Sequence, residues 1–261
     1  ARRPRGAGAA LLGADLLVVA AVVLAPLLAL TAQALTGPDG SFPSAYNLRA
    51  MAEAPRSIGF ATLGLGLRNS LTFGALSSAV ALVVGTAFAY AVARGGWRWL
   101  DGLSLLPLAT SPVTLGLGYL IAYPWLVATF WGVPLAHALI AFPFVTRTLL
   151  PALRALPAGQ VRAAATLGAG PWRTLWRVEL PQLLPSLAVA AAFAFAVSLG
   201  EFGASLLLLR PELATLPVAI YDRLGRPGAA NYGAALGLAL VLMAVTALVM
   251  LVLQRRERGE L

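Results

Sequence analysis

The chain of 261 residues contains neither cysteine nor lysine, and each absence excludes a kind of chemistry. Without cysteine, the chain forms no disulfide bond and offers no thiolate ligand to a metal. Without lysine, it has no phosphate-binding loop of the Walker type, because that loop needs its lysine to reach the phosphates. Its basic residues are 19 arginines, and any ATP chemistry has to take place on a partner chain.

Charged residues are scarce as well, at 11% of the sequence, while hydrophobic residues make up 59% and the mean hydropathy is +0.83. These values lie far outside the range of soluble globular domains and indicate an integral membrane protein. In such a protein the distribution of the net charge of +9 matters more than its sum, so we expect no binding to nucleic acid.

The chain has one histidine, His137, and its ten acidic residues are scattered. A metal site needs several histidine, cysteine or carboxylate side chains close together. We therefore expect no metal site, and we interpret His137 as a packed or hydrogen-bonded helix residue.

Six apolar stretches are long enough, or nearly so, to cross a bilayer core of roughly 30 Å, which takes about 20 helical residues. None shows the short alternating pattern of a β-barrel strand, so the sequence predicts an all-α membrane protein. The predicted spans cover residues 10–35, 67–93, 103–123, 134–150, 183–209 and 229–253.

Arginine is distributed unevenly among the segments that connect these spans. With the N-terminus in the cytoplasm, 13 arginines fall on the cytoplasmic side and 6 on the outer side. The positive-inside rule then favours two cytoplasmic termini and a cytoplasmic segment 151–181. The first stretch is too long for a typical signal peptide, so we favour a retained helix over a cleaved leader. We expect the outer segment 36–66 to be a loop with room for a surface helix.

Segment 151–181 interrupts the apolar sequence with arginines, glycines and two tryptophans. Pro157 suits the first turn of a short helix that runs to residue 167. Gly168 can then adopt the left-handed conformation that ends a helix, and Pro171 can begin a second one. Pro181 is expected to end this second helix before the next span. The sequence therefore predicts two short helices close to the membrane.

Two interpretations of these helices stay open from composition alone. Trp172, Leu175 and Trp176 form an apolar face at helical spacing, and Arg173 and Arg177 lie on another face. Such an element suits the surface of a membrane that contains anionic lipid. The small side chains of the preceding helix, in contrast, would let a soluble protein approach its backbone closely.

The spacing within this segment resembles the EAA loop of ABC importer permeases. That loop runs Glu-Ala-Ala, three residues, Gly, nine residues, an aliphatic residue, one residue and Leu-Pro. Here three residues separate Ala164 from Gly168, and nine separate Gly168 from Val178. The resemblance implies contact with an ATPase by Arg162, Ala163, Ala164, Gly168, Val178, Leu180 and Pro181. Arg162 departs from the pattern because it occupies the place of the glutamate.

Other stretches are similar to the same family. RNSLTFG at residues 68–74 looks like the opening of the first helix of the permease core. SLGEFGASLLL at residues 198–208 resembles the branch that imports iron(III), thiamine and sulfate or molybdate. LATLPVAIYDRLGRPGAANYGAAL at residues 213–236 resembles the outer loop and last helix of that branch.

The resemblance implies the type I ABC importer permease fold, also called MetI-like, with about six transmembrane helices. A first helix and outer loop then occupy residues 1–66, a core of five helices occupies 67–255, and 256–261 is a cytoplasmic tail. Two such units are often fused in one polypeptide in the iron and thiamine branches. An N-terminal alanine in place of methionine and the basic start ARRPRG suit the second unit of a fusion, and a separate subunit is the alternative.

The resemblance also implies partners. Two permease units form the path, two ATP-binding cassette ATPase subunits bind their cytoplasmic loops, and a solute-binding protein delivers solute outside a bacterial cytoplasmic membrane. The chain is then expected to be a permease and not an enzyme, with no cofactor of its own and with ATP on the partner. The branch favours iron(III) or thiamine as the solute, followed by sulfate or molybdate.

Glu201 is the one acidic residue within the fifth predicted span. An ionisable group at mid-membrane costs about 2.5 to 3.5 kcal/mol on insertion scales, so its presence calls for a reason. One interpretation makes Glu201, with Asn69, Gly200 and Gly203, part of the translocation path or its gate. The other makes it a structural residue that pairs with an arginine or caps an unwound turn among closely packed small residues.

A secondary transporter is the alternative function. It would need inverted repeats and broken helices around a central site. Pro107, Pro112, Pro124 and Pro143 could break helices, but the two halves of the chain show no convincing repeat. A membrane-embedded enzyme would need clustered histidine or acidic residues, and a purely structural anchor would leave the pattern in segment 151–181 unexplained.

Overall fold

The computed structural model describes residues 7–53, 62–97, 99–208 and 210–257. Within these residues every regular element is helical, which confirms the all-α prediction. The α-helices are α1 (Ala7–Ala34), α2 (Tyr46–Glu53), α3 (Leu63–Arg94), α4 (Trp99–Leu103), α5 (Leu106–Ala109), α6 (Pro112–Ala122), α7 (Pro124–Val127), α8 (Gly132–Ala155), α9 (Ala158–Thr166), α10 (Pro171–Thr174), α11 (Leu180–Leu199), α12 (Gly203–Leu207), α13 (Leu216–Leu224) and α14 (Ala229–Glu257). A π turn at Leu175–Glu179 links α10 to α11, and a 3₁₀ turn covers Pro211–Leu213.

Five segments of the described chain are helices long and apolar enough to cross a membrane. They are Gly13–Ala34, Leu63–Arg94, Gly132–Ala155, Pro171–Leu199 and Ala229–Val252. A sixth crossing is present if the bent pair Trp99–Ala109 and Pro112–Ala122 counts as one span. Helices of membrane length are therefore confirmed at the first, second, fourth, fifth and sixth predicted stretches, with different bounds.

The third predicted span, residues 103–123, is not one straight helix, because its two halves meet at 99°. Thr110 and Ser111, between the halves, are extended, with ψ of 144° and 138°. Ser111 precedes Pro112, whose ring disfavours the helical conformation in the residue before it. Pro112 itself begins the second half, where its missing N–H leaves no helical hydrogen bond unmade. The expectation of a continuous span was wrong for this reason.

The chain divides into two compact units, and the smaller consists of Ala1–Pro55 and Ile220–Val241. In this unit Asn47 of α2 donates hydrogen bonds from Nδ2 to three backbone carbonyls at the end of α1. The acceptors are Gln33 at 3.0 Å, Ala34 at 3.2 Å and Thr36 at 2.9 Å. Carbonyls at a helix end lack intrahelical donors, so one asparagine fixes both the end of α1 and the position of α2. The helix α2 lies within segment 36–66, where the sequence left room for a surface helix.

The larger unit consists of Arg56–Ala219 and Leu242–Leu261 and is built on the packing of α3, α8 and α11. Small residues let these helices approach closely. A Cβ atom added to Gly85 in α3 would lie 2.7 Å from Cγ1 of Val145 in α8. One added to Gly74 would lie 2.9 Å from the ring of Phe195 in α11. This core holds segment 151–181, which runs from the end of α8 to the start of α11, and the helix break that follows α11.

Candidate coupling segment and helix break

The turn after α9 is built from residues 164–169 and closes as the sequence predicts. Gly168 has φ of +77°, in the left-handed region that glycine adopts most readily. The N–H of Ala169 donates to the carbonyl of Ala164 at 3.0 Å, and the N–H of Gly168 donates to that of Ala165 at 3.0 Å. These two bonds form a Schellman motif, so the end of α9 is confirmed where Gly168 places it.

The helix α9 presents its residues outward. From Gly159 to Thr166 no side chain is buried, and Leu167 at its end is 87% exposed. Arg162, Ala163 and Gly168 are exposed, and a Cβ at Gly168 would meet open space. Gln182 of α11 donates a hydrogen bond to Gln160 at 2.8 Å and ties the helix to its neighbour. Small residues on an uncovered helix leave its backbone accessible to another protein.

The second helix of the segment differs from the prediction. It begins at Pro171, as expected, but Pro181 does not end it, because one helical segment runs from Pro171 to Leu199. The π turn at Leu175–Glu179 precedes the proline, and the N–H of Leu180 donates to the carbonyl of Leu175. A π turn shifts the hydrogen-bond register by one residue, so Pro181 enters the first turn of α11, where proline is tolerated.

The predicted coupling residues are therefore divided between two elements. Arg162, Ala163 and Ala164 lie on α9, and Gly168 lies in the turn after it. The remaining three, Val178, Leu180 and Pro181, lie in the helical segment Pro171–Leu199. Val178 and Leu180 are half-buried and Pro181 is exposed, so this part of the pattern lies at the edge of the core.

Glu179 is a polar residue of this segment that sequence reasoning missed. Its carboxylate is 2% exposed and its Oε1 lies 2.9 Å from Nη2 of Arg94, in the last turn of α3. The signal was present, because Glu179 is the one acidic residue of segment 151–181 and stands between two apolar residues of the resemblance. The partner, 85 residues earlier in the chain, carries no such signal.

The structure places Glu201 at a helix break. The helix α11 ends at Leu199, and α12 begins at Gly203, so the expected continuous span 183–209 was wrong beyond Leu199. The Oε1 atom of Glu201 accepts a hydrogen bond from the N–H of Ala204 at 2.8 Å. That N–H lies in the first turn of α12, where intrahelical acceptors are missing. The carboxylate is buried and supports an unwound turn, as the structural interpretation has it.

His137 of α8 spans the same break. Its Nδ1 lies 2.8 Å from Oγ of Ser198, before the break, and its Nε2 lies 2.7 Å from Oγ of Ser205, after it. The imidazole is 1% exposed and therefore has little access to water, and each of its two nitrogens has one of these hydroxyls as its hydrogen-bond partner. The interpretation of His137 as a packed and hydrogen-bonded helix residue is confirmed.

The remaining residues predicted to line the translocation path are Asn69, Gly203 and Gly200, and the first two make structural contacts. Asn69 is buried and donates from Nδ2 to the carbonyls of Glu212 at 2.9 Å and Ala214 at 3.0 Å, after α12. A Cβ at Gly203 would lie 3.0 Å from Cγ2 of Val113, so α12 and α6 touch there. Gly200 is less confined, since its added Cβ would meet no atom closer than 3.7 Å.

These features define a class. The described residues form an all-helical membrane protein with buried polar groups at a break after α11 and an uncovered short helix, α9, outside the core. The family of binding-protein-dependent transport system inner membrane components matches residues 16–259, and the chain belongs to this family. It is thus a permease component of a binding-protein-dependent ABC importer and a multi-pass inner-membrane protein.

Named relatives cover much of the chain. A Salmonella typhimurium protein, provisionally named 2-aminoethylphosphonate transport system permease protein PhnV, is 33% identical over 260 residues, which are 97% of this chain and 95% of the relative. The Escherichia coli molybdenum transport system permease protein ModB is 34% identical over 69% of this chain and 87% of its own length. The Synechococcus elongatus sulfate transport system permease protein CysW is 31% identical over 75% of this chain and 70% of its own length.

Proposed function

We propose that this chain forms a translocation path together with a second permease unit, fused or separate, and that α9 seats in a partner ATPase. The observation that carries this proposal is the state of α9, a nine-residue helix with no buried side chain from Gly159 to Thr166. Helices shorter than about 12 residues are marginal in water unless something packs against them. A protein surface that covers the small residues of α9 would supply that packing.

The proposed mechanism follows from how this helix is attached. ATP binding closes the ATPase dimer and displaces α9, which the Schellman turn connects to the helical segment Pro171–Leu199. Because that segment is one helix, a displacement at its start is carried to its end at Leu199. The break there, with Glu201 and His137, is where we expect the path to open and close. The chain supplies motion, and ATP hydrolysis takes place on the partner.

We infer an orientation with both termini in the cytoplasm, which puts α9 on the side where ATP is available. The unequal distribution of arginine, 13 against 6, supports this orientation. An extracytoplasmic binding protein would deliver the solute to the opposite side.

For the solute we propose an oxyanion or phosphonate. The relatives named above are named for 2-aminoethylphosphonate, molybdenum and sulfate transport, and phosphonate, molybdate and sulfate are anions whose tetrahedral centre carries at least three oxygens. Iron(III) and thiamine, which the sequence favoured, are the competitors. Uptake of labelled solutes into proteoliposomes that hold the whole importer separates these groups, and ATP-driven uptake of iron(III) or thiamine in place of an oxyanion would overturn the assignment.

Docking of α9 is tested by a bulky side chain at Gly168 with a matched control. Gly168→Leu and Gly40→Leu both place leucine at a similar positive φ, +77° and +80°, with open space around the added Cβ. We expect Gly168→Leu to lower co-purification of the ATPase by about tenfold or more, since a docked helix admits little extra volume. Gly40→Leu should leave it unchanged, and equal yields for both variants would contradict the docking proposal.

A further inference from the structure

The ion pair of Arg94 and Glu179 joins two elements far apart in sequence. Arg94 lies in the last turn of α3, and Glu179 is the final residue of the π turn that precedes α11. Their Nη2 and Oε1 atoms are 2.9 Å apart, with the glutamate 2% exposed and the arginine 31% exposed. A cation is also favoured by the dipole at the end of α3. The pair therefore holds the start of α11 to the end of α3.

Arg94 supplies the one ion pair that the carboxylate of Glu179 makes among the described residues. Its second oxygen, Oε2, has no hydrogen-bond partner among the described residues, and the side chain of Tyr90 lies beside it. A buried carboxylate is strongly disfavoured without a counter-charge, so the pair resists separation. At this ion pair the angle between the start of the segment and α3 can still change, whereas further along α11 packs closely on α3 at Gly74 and Phe195.

The surroundings of the pair leave room for such a change. A cavity of about 690 Å³ lies between α3 and the helical segment Pro171–Leu199. Tyr90, one turn before Arg94, and Leu180, next to Glu179, are among its lining residues. Trp172 and Trp176 line it too and are largely exposed. Next to the ion pair, the start of the segment and α3 are thus separated by open space.

We propose that Glu179 is a positioning residue, whose ion pair with Arg94 is the joint through which displacement of α9 reaches α3. This proposal rests on the proposed function. Without the joint, the start of the helical segment Pro171–Leu199 can move into the open cavity relative to α3, and the displacement no longer reaches α3. A variant that lacks the joint therefore binds the ATPase and hydrolyses ATP but imports solute poorly.

The test uses the whole importer in proteoliposomes and measures solute imported per ATP hydrolysed. Glu179→Gln removes the buried charge and leaves Arg94 partly in solvent, so it creates no buried unpaired ion. Arg94→Gln with Glu179→Gln removes both charges. We expect normal membrane yield and ATPase co-purification for both variants, with a coupling ratio reduced about tenfold.

A purely structural role predicts a different pattern. The doubly neutral variant should then restore whatever the single variant lost, because no unpaired charge remains. The more exposed pair Asp101–Arg147, which joins α4 to α8 at 3.1 Å, is the control. Its doubly neutral variant, Asp101→Asn with Arg147→Gln, should import solute at the wild-type ratio.

The outcomes separate the two claims. Wild-type protein that shows no ATP-driven uptake overturns the proposed function and this proposal with it. Wild-type uptake combined with a coupling ratio within about twofold of wild type in Glu179→Gln or in the doubly neutral variant overturns only the joint. If the double variant does not reach the membrane, Glu179→Gln alone decides by the same ratio.

Discussion

The Nε2 atom of His137 lies 2.7 Å from Oγ of Ser205, and the hydroxyl of Ser205 also donates to the carbonyl of Glu201 at 3.2 Å. One imidazole on α8 thereby holds the start of α12 close to the break that Glu201 caps. Because the other imidazole nitrogen holds Ser198 at the end of α11, the geometry of the break is fixed from outside the broken helix.

Replacement of His137 by Phe should destabilise the protein, because it removes a hydrogen bond from each of two buried hydroxyls, of which Ser205 keeps its bond to the carbonyl of Glu201. We expect a loss of about 2 kcal/mol in the free energy of unfolding. The measurement is the midpoint of thermal unfolding in detergent. Thr148→Val, on the same helix, is the control. Among the residues that the structure describes, its hydroxyl bonds only to the carbonyl of Phe144, and its loss should change the free energy by less than about 0.5 kcal/mol. Equal midpoints for the two variants would refute the role given to His137.

Gly203 and Gly200 should respond differently to alanine. A Cβ at Gly203 would lie 3.0 Å from Cγ2 and 3.2 Å from the backbone nitrogen of Val113, so α12 would be pushed away from α6. We expect Gly203→Ala to cost about 1–3 kcal/mol of stability and to lower solute uptake. Gly200→Ala should stay within about 0.5 kcal/mol of wild type. Uptake and thermal unfolding of both variants check this, and a more damaging Gly200→Ala would show that the contact is misassigned.

Gly85 tests the packing of α3 on α8. The added Cβ of Gly85→Ala would lie 2.7 Å from Cγ1 and 2.8 Å from Cβ of Val145, neither of which is the end of a flexible chain. We expect about 1–3 kcal/mol of destabilisation, measured by thermal unfolding in detergent. Gly64→Ala on the same helix meets open space and should be neutral or slightly stabilising. A neutral Gly85→Ala would mean that the helices yield without cost.

Substitutions at Glu201 separate a cap from a path residue. Glu201→Gln keeps an oxygen that can accept the N–H of Ala204, and Glu201→Ala removes it. If the carboxylate only caps α12, Gln retains both stability and uptake, while Ala loses about 1 kcal/mol. We predict instead that Gln keeps stability but impairs uptake, because the negative charge also acts on the path. Normal uptake by Glu201→Gln in an assembled importer would leave the cap as its whole role.

Local chemistry made part of this structure predictable. Gly168 indicates the end of one helix and Pro171 the start of the next, because each adopts a backbone conformation that few other residues favour. Both boundaries lie where the sequence predicts them. Hydropathy likewise located five helices of membrane length, since that signal is summed over many residues.

The predictions that failed concern features that depend on contacts between residues distant in sequence or on the exact hydrogen-bond pattern of a turn. A run of apolar residues from 183 to 209 looks continuous, but His137 and two serines stabilise a break within it. Pro181 looks like a helix end, yet the π turn before it absorbs the missing hydrogen bond. The counter-charge of Glu179 comes from Arg94 on a different helix, and residue spacing along the chain does not predict that these two side chains meet.

The π turn at Leu175–Glu179 also sets an angle. Each residue of an α-helix advances the chain by about 100° around the axis. If the same residues were wound as an uninterrupted α-helix, everything before the turn, α9 included, would rotate by about 100° relative to α11, whereas deletion of the one extra residue would keep the direction of α9. The direction in which α9 faces is therefore set by the one extra residue of this π turn, whichever side chains α9 carries.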